Sequence, residues 1–338
     1  EFTPLMADVS TPIKKLYTFS ILIPIKMANV NFHSFFTRMI RVFTAKLQSL
    51  LSMIEQIWLH AISRHFRNLF LKPPVDDVAP AILYSAKTTT KVPEKWVKMQ
   101  EQIHKKVIET DIVEWQKSRV FSQNDNTIND KELKYVAGVD ISYAKEGKTA
   151  CAAIVVCEMP QMKVVYHHCQ LKEITVPYIA GFLTFREVMP FLEVFRHLLI
   201  EVPRFKPQVI LVDGNGLLHP RKAGLACHLG VLTGIPCVGV GKNYLRMENF
   251  DPDDFNGTDL PIIANDEKTI GMAVRTGSAM KPLFVSIGHK ISLDTAVWLV
   301  KQCSKYRVPE PIRQADIRSR EFLERHPDLK KSSRPNEP

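Results

Sequence analysis

The sequence predicts an α/β fold, a mixed sheet flanked by helices, on three observations. Between Lys134 and Leu171 lie three successive strand-like runs, which read as an antiparallel meander. After Leu171 the apolar period changes from that of a strand to that of a helix. From there helical and strand patterns alternate, the signature of parallel strands joined by crossover helices.

The 338 residues divide into three parts: an extension over 1–92, a globular domain over 93–325 and a polar, Pro-containing tail over 326–338 that reads as disordered. The extension is apolar and basic, with no acid between Asp8 and Glu55. Phe35, Phe36, Met39, Ile40, Phe43 and Leu47 recur at helical spacing, punctuated by Arg38, Arg41 and Lys46. Such a segment has the composition of an organelle presequence or a membrane-surface helix. An accessory element and an extension without function are the other two readings. Ile21–Ile25, interrupted by Pro24, is too short to cross a bilayer, so no stable membrane insertion is expected. Pro73, Pro74, Pro80 and the run Lys87–Lys91 read as a linker.

Within the domain, Trp96, Met99, Ile103 and Val107 mark a first helix. Lys134–Ser142, Thr149–Cys157 and Met162–Leu171 are the meander, with Glu146-Gly147 as the first turn. A helix over Phe182–Glu201, a strand over Gln208–Val212, a helix over Lys222–Leu232 and a strand over Pro236–Val240 follow. Strands near Ile270–Arg275 and Pro282–Ile287, then a helix over Ser292–Ser304, extend the core. Three strands followed by alternating helix and strand is the order of the ribonuclease H-like fold.

Composition narrows the chemistry. The net charge of +10 favours a polyanionic partner, because Lys and Arg gain by displacing counterions from phosphates, although about half of that excess lies in residues 1–90. The six cysteines form no C-x-x-C pair and sit in apolar stretches, which argues against a disulfide framework and a zinc site. They read as reduced thiols and point to cytoplasm or nucleus, with organelle targeting by residues 1–90 left open. His167-His168 beside Cys169 is a poor soft-metal site, since neighbours on a strand point to opposite faces. Cys237-Val-Gly-Val-Gly-Lys242 lacks the spacing and the Ser or Thr of a P-loop.

The carboxylates carry more. Asp213 ends the apolar run Val209-Ile-Leu-Val212 and opens the turn Gly214-Asn-Gly216. Asp140 lies inside Val136-Ala-Gly-Val-Asp-Ile-Ser142, where an acid needs a compensating partner; capping a turn with Ser142 is the plainer reading. The predicted topology brings the two strands side by side, and two anions there repel unless a cation sits between them. Glu187 would add a third carboxylate from the helix packed on this sheet. Pro190 removes an N–H and crowds the carbonyl of Arg186, so a kink or a broken first turn is expected to lean Glu187 toward the sheet. Three carboxylates suit Mg²⁺, with Mn²⁺ able to substitute, and hydrolysis of a phosphodiester follows. His219 and His289 are candidate proton carriers, and Lys242 and Arg221 candidate phosphate ligands.

The ordered motifs Gly138-Val-Asp-Ile-Ser142, Pro177-Tyr-Ile-Ala-Gly-Phe-Leu-Thr-Phe-Arg-Glu187, Asp213-Gly-Asn-Gly-Leu-Leu-His-Pro-Arg221 and Ser286-Ile-Gly-His289 closely resemble the endonuclease V family from about Pro93 to about Arg325. Cys227–Cys237 and Pro309–Ile317 are similar to its animal branch. The resemblance implies hydrolysis of the second phosphodiester 3′ to a hypoxanthine base, leaving 5′-phosphate and 3′-hydroxyl ends. It implies deoxyinosine in DNA as the substrate of bacterial members and inosine in RNA as that of animal members. By the same resemblance Asp140, Glu187 and Asp213 are metal ligands, His289 assists at the metal, and His219 and Lys242 support the scissile phosphate. Tyr178 belongs to a wedge that fills the gap left by an extruded base, a step that costs least for a poorly paired purine. Gly181, Leu183, Gly214 and Gly224 border the base pocket, and Ala180 stands where bacterial wedges carry a second proline. A monomeric endoribonuclease acting on inosine-containing RNA is expected; a deoxyinosine repair endonuclease and a non-catalytic inosine-RNA binding protein are the alternatives.

Overall fold

The computed structural model describes residues 92–121, 131–145, 147–245 and 250–326. The expectations for residues 1–91 and for 327–338, and the placement of Glu146 in the first turn, lie outside these. Helices α1 (Glu94–His104) and α2 (Glu114–Ser118) precede strands β1 (Tyr135–Tyr143), β2 (Thr149–Glu158) and β3 (Lys163–Glu173). Helix α3 (Thr184–Glu201), strand β4 (Val209–Asp213), helix α4 (Leu225–Thr233) and strand β5 (Cys237–Gly241) supply the alternating segment. Strands β6 (Leu260–Ile263), β7 (Thr269–Val274) and β8 (Leu283–His289) and helices α5 (Leu293–Gln302) and α6 (Glu310–Glu324) complete the described chain.

The strands form one sheet in the order β3-β2-β1-β4-β5-β8-β7-β6. The meander is antiparallel, β1, β4 and β5 are mutually parallel, and the remaining pairs are antiparallel. This is the mixed, helix-flanked sheet that the sequence predicts. Strand β6, and helix α6 over the Pro309–Ile317 motif, were not among the predicted elements.

Alternate residues of the central strands feed two cores. Tyr135, Ala137, Val139, Ile210 and Val212 pack with Val188, Phe191, Val194 and Leu198 of α3 and with Leu225 and Leu229 of α4. Val136, Val209, Leu211 and Val238 pack on the other face with Ala296 and Leu299 of α5 and Ile312 of α6. Both faces of β4 are therefore covered, which is why Val209-Ile-Leu-Val212 reads as a run without polar alternation.

Helix α3 corrects one expectation. It is continuous through Pro190, so no broken turn delivers Glu187. Among its buried positions, Thr184, Glu187, Val188, Phe191, Val194, Phe195 and Leu198 recur at helical spacing, and Glu187 faces the sheet because it falls on that stripe.

Candidate active site

Parallel pairing of β1 with β4 aligns Val139 with Val212, so Asp140 and Asp213 stand at the next level of adjoining strands. Asp140 is 5% exposed, and Glu187, from the first turns of α3, is 4% exposed. All three acids line one cleft of about 410 Å³. Lys242, just beyond β5, points its ammonium between the two aspartates, 2.6 Å from Asp213 Oδ2 and 3.7 Å from Asp140 Oδ1.

Burial sets the electrostatics. It pushes the Asp140 carboxyl up to about 9, with a hydrogen bond to Asp213 and that residue's charge adding to the shift and Lys242 opposing it. Burial likewise raises Glu187 to about 8, while the Tyr143 hydroxyl, which donates to Glu187 Oε1 at 2.6 Å, pulls the other way. For Lys242 burial acts to lower the ammonium's pKa, yet the aspartates outweigh it and the net shift is upward. The cleft thus holds more carboxyl groups than its one lysine neutralises, and burial, with the charge of Asp213 adding to it, pushes the pKa of Asp140 and of Glu187 upward. Hard oxygen donors short of positive charge fit a divalent cation of the Mg²⁺ type. Among the described residues, no group of three or more His, Cys, Asp and Glu side chains is yet drawn together in ligating geometry.

The remaining predicted residues divide. Tyr178, 67% exposed, stands at the cleft with Gly181, Leu183, Gly214 and Gly224. His219 also borders the cleft, but both ring nitrogens are engaged: Nε2 with the Gly181 carbonyl at 2.9 Å, and Nδ1 with the backbone N–H of Arg221 at 3.2 Å. Since Nδ1 accepts that N–H, Nε2 carries the proton and donates. Burial holds the ring neutral, with its pKa lowered to about 4. A neutral imidazole with both nitrogens occupied is a support rather than a proton carrier. Arg221 turns inward, over the Phe182 ring and onto the Gly181 carbonyl, not toward the acids.

His289 is the clear departure. Strand β8 runs antiparallel to β5, so its last residue pairs with Cys237, the first residue of β5, whereas Lys242 and Asp213 lie at the other end of the sheet. There His289 Nδ1 accepts the N–H of Ile108, and the residue takes no part in lining the cleft. The sequence reading missed Asp316 on α6, whose charge acts on both Asp140 and Lys242. Nearby Ser319 Oγ contacts Asp140 Oδ2 at 3.5 Å and Ser142 Oγ at 2.7 Å. The signal was available: Ile312, Ala315 and Ser319 form a buried helical stripe, and Asp316 borders it. Gln100 of α1, wholly buried and at the cleft, was missed as well.

A mixed sheet in this order, with acids from its two central parallel strands and from the helix that leads into the second of them, has the architecture of the ribonuclease H-like nucleases. The family model for endonuclease V matches residues 116–317. The mouse endonuclease V is 41% identical over 242 residues, covering 68% of this chain and 69% of that protein. The human one is 38% identical over 255 residues, covering 72% and 87%. The crystal structure of the human catalytic domain superposes with a TM-score of 0.64 at 38% identity, over 70% of this chain and 97% of that one. That of the Ciona intestinalis enzyme, in complex with a 24mer DNA containing an inosine followed by a ribo-adenosine, gives 0.60 at 35% identity, over 69% and 97%. The chain belongs to the endonuclease V family.

Proposed function

We propose that this protein is a divalent-metal-dependent endonuclease that cuts inosine-containing strands, RNA in preference to DNA. The scissile bond is the second phosphodiester 3′ to the inosine, and the products carry 5′-phosphate and 3′-hydroxyl ends. One observation carries the reading: two buried acids, from β1 and α3, and a partly exposed one from β4 share a cleft with one lysine, beside an exposed aromatic ring. The Ciona relative, crystallised with inosine-containing DNA, supports the base preference and favours the deoxyinosine endonuclease as the second reading. The catalytic unit is the domain over 93–325.

Asp140, Glu187 and Asp213 hold the cation, Mg²⁺ or in its place Mn²⁺, with Asp316 adding negative charge behind Asp140. A cation held there activates water and offsets charge on the phosphoryl group. As carboxylates, Asp140, Glu187 and Asp213 would supply the oxygen donors that such a cation takes. Lys242 supplies positive charge to the phosphate beside the acids. Tyr178 stacks where the extruded base stood, and Gly181, Leu183, Gly214 and Gly224 let the base come close to main chain.

The test is a matched set of RNA and DNA oligonucleotides carrying one inosine, incubated with Mg²⁺ or with EDTA. Cleavage of the RNA ahead of the DNA, abolished by EDTA and by Asp213→Asn with binding retained, is expected. Cutting that survives EDTA refutes the metal mechanism, and tight binding without cutting marks the protein as an inosine-binding module.

A further inference from the structure

Three side chains from two parts of the chain converge on one backbone oxygen at the cleft wall. Gly181, at φ +77° in the loop before α3, presents its carbonyl to Gln100 Nε2 at 3.0 Å, His219 Nε2 at 2.9 Å and Arg221 Nη2 at 2.8 Å. The donors brace one another. Arg221 Nε donates to Gln100 Oε1, which fixes the amide so that its NH₂ faces Gly181 and reaches the Ala223 carbonyl at 3.4 Å. The Arg221 guanidinium lies over the Phe182 ring at 4.1 Å, and Trp96 of α1 stacks on Phe185 at 4.5 Å. Helix α1 is thereby docked where Gln100 must reach.

A carbonyl oxygen has two lone pairs, and here three donors already share them. It has no capacity left to accept a hydrogen bond from a ligand. Hypoxanthine carries only C2–H where guanine carries an exocyclic 2-amino group, a donor that needs an acceptor once buried. We propose that Gln100 and Arg221 are positioning residues that set base selectivity. By saturating the Gly181 carbonyl they leave the pocket wall without an acceptor for the 2-amino group, so that inosine is admitted and guanosine refused. This rests on the assignment of Gly181 to the base pocket made above. Neither residue touches the acids, and Gln100 lies before the stretch that the family model matches.

The experiment measures kcat and KM on matched RNA strands carrying one inosine or one guanosine at the target position, for the parent chain and for Gln100→Met, Gln100→Glu and Arg221→Met. Gln100→Met keeps the volume and loses all three of the side chain's hydrogen bonds; Gln100→Glu keeps the acceptor for Arg221 but turns an oxygen toward the Gly181 carbonyl. In Arg221→Met, which removes one donor and releases the Gln100 amide from its brace, the inosine-to-guanosine ratio of kcat/KM is expected to fall about tenfold, the size of one buried hydrogen bond, chiefly through a lower KM for guanosine RNA. The Gln100 variants leave His219 and Arg221 on the two lone pairs, and in them the ratio falls less. Thermal melts identify folded variants, and half-exposed Arg221 carries the test if the Gln100 variants do not fold. An unchanged ratio in folded variants, or a fall confined to kcat, overturns the proposal. A parent chain that cuts inosine and guanosine strands alike overturns the base preference itself, and the clamp with it; that outcome is distinct because it shows in the parent.

Discussion

At the scale of single residues, Glu187 depends on a neighbour that the endonuclease motif does not include. Tyr143 closes β1, and its hydroxyl donates to Glu187 Oε1 at 2.6 Å. Arg186 covers the Tyr143 ring at 4.4 Å while donating to the carbonyls of Val176 at 2.8 Å and Gly147 at 3.1 Å. One arginine thus ties the loop that bears Tyr178 to the β1–β2 turn, and the tyrosine aims the carboxyl. Tyr143→Phe keeps the ring under Arg186 and deletes only the hydrogen bond. Its expected effect is a rise of about fivefold to tenfold in the Mg²⁺ concentration for half-maximal cutting, in line with the loss of one charge-assisted hydrogen bond. Activity at saturating Mg²⁺ should stay within about twofold on the same argument. A metal titration of both proteins checks it, and an unmoved midpoint means that Tyr143 does not position Glu187.

At the scale of elements, the decisive contact is α6 on β1. A Cβ added at Gly138 would meet the Pro311 carbonyl carbon at 2.1 Å and the Ile312 nitrogen at 2.4 Å. The backbone of α6 therefore rests directly on the strand that carries Asp140, and only glycine permits that approach. Asp316 and Ser319, one and two turns further along the helix, act on Asp140 because of this seating. Gly138→Ala has to lift the helix, since the clashing atoms are main chain. A loss of about 3 kcal/mol of stability by denaturant unfolding is expected, together with weakened Mg²⁺ affinity from the displaced Ser319. Retention of both would show that α6 is not what steadies Asp140.

At the scale of the whole molecule, three buried histidines make the fold sensitive to acid. His228, wholly buried with no hydrogen-bond partner for either ring nitrogen, is held neutral by burial with its pKa down to about 3, against 6.5 for the free side chain. His219 and His289 are lowered to about 4 for the same first reason. A group depressed in the folded state contributes stability above its unfolded pKa and loses it as pH falls toward the folded value, here from 6.5 to about 3. The cost is about 1.4 kcal/mol per pH unit for each such histidine within that window. Asp140 and Glu187, raised by burial, act oppositely in the metal-free protein: their contribution is full at low pH and is lost as pH rises through about 8 to 9. Comparing the parent with His228→Leu cancels that opposing effect. The variant should match or exceed the parent near pH 7 and gain on it steadily between pH 6 and pH 4.5 in melts. A constant gap across that range would mean that His228 is already protonated in the folded state.

The sequence by itself determined the sheet, the crossover helices and the two aspartates. An acid embedded in an unbroken apolar strand is a local anomaly, and local anomalies are visible in one dimension. It also supplied the motifs that place Glu187, Lys242 and the glycine-bordered pocket in one cleft. Tertiary structure alone decided the rest. His289 stands beside a motif glycine, yet the antiparallel course of β8 carries it to the wrong end of the sheet. Gln100 and Asp316 look like ordinary polar positions on amphipathic helices, and become part of the cleft's surroundings only through the docking of α1 and α6. His219 and Arg221, read as groups for proton transfer and phosphate binding, are committed to the Gly181 carbonyl. Strand register and hydrogen-bond commitment depend on residues far apart in the chain, and no spacing within a motif encodes them.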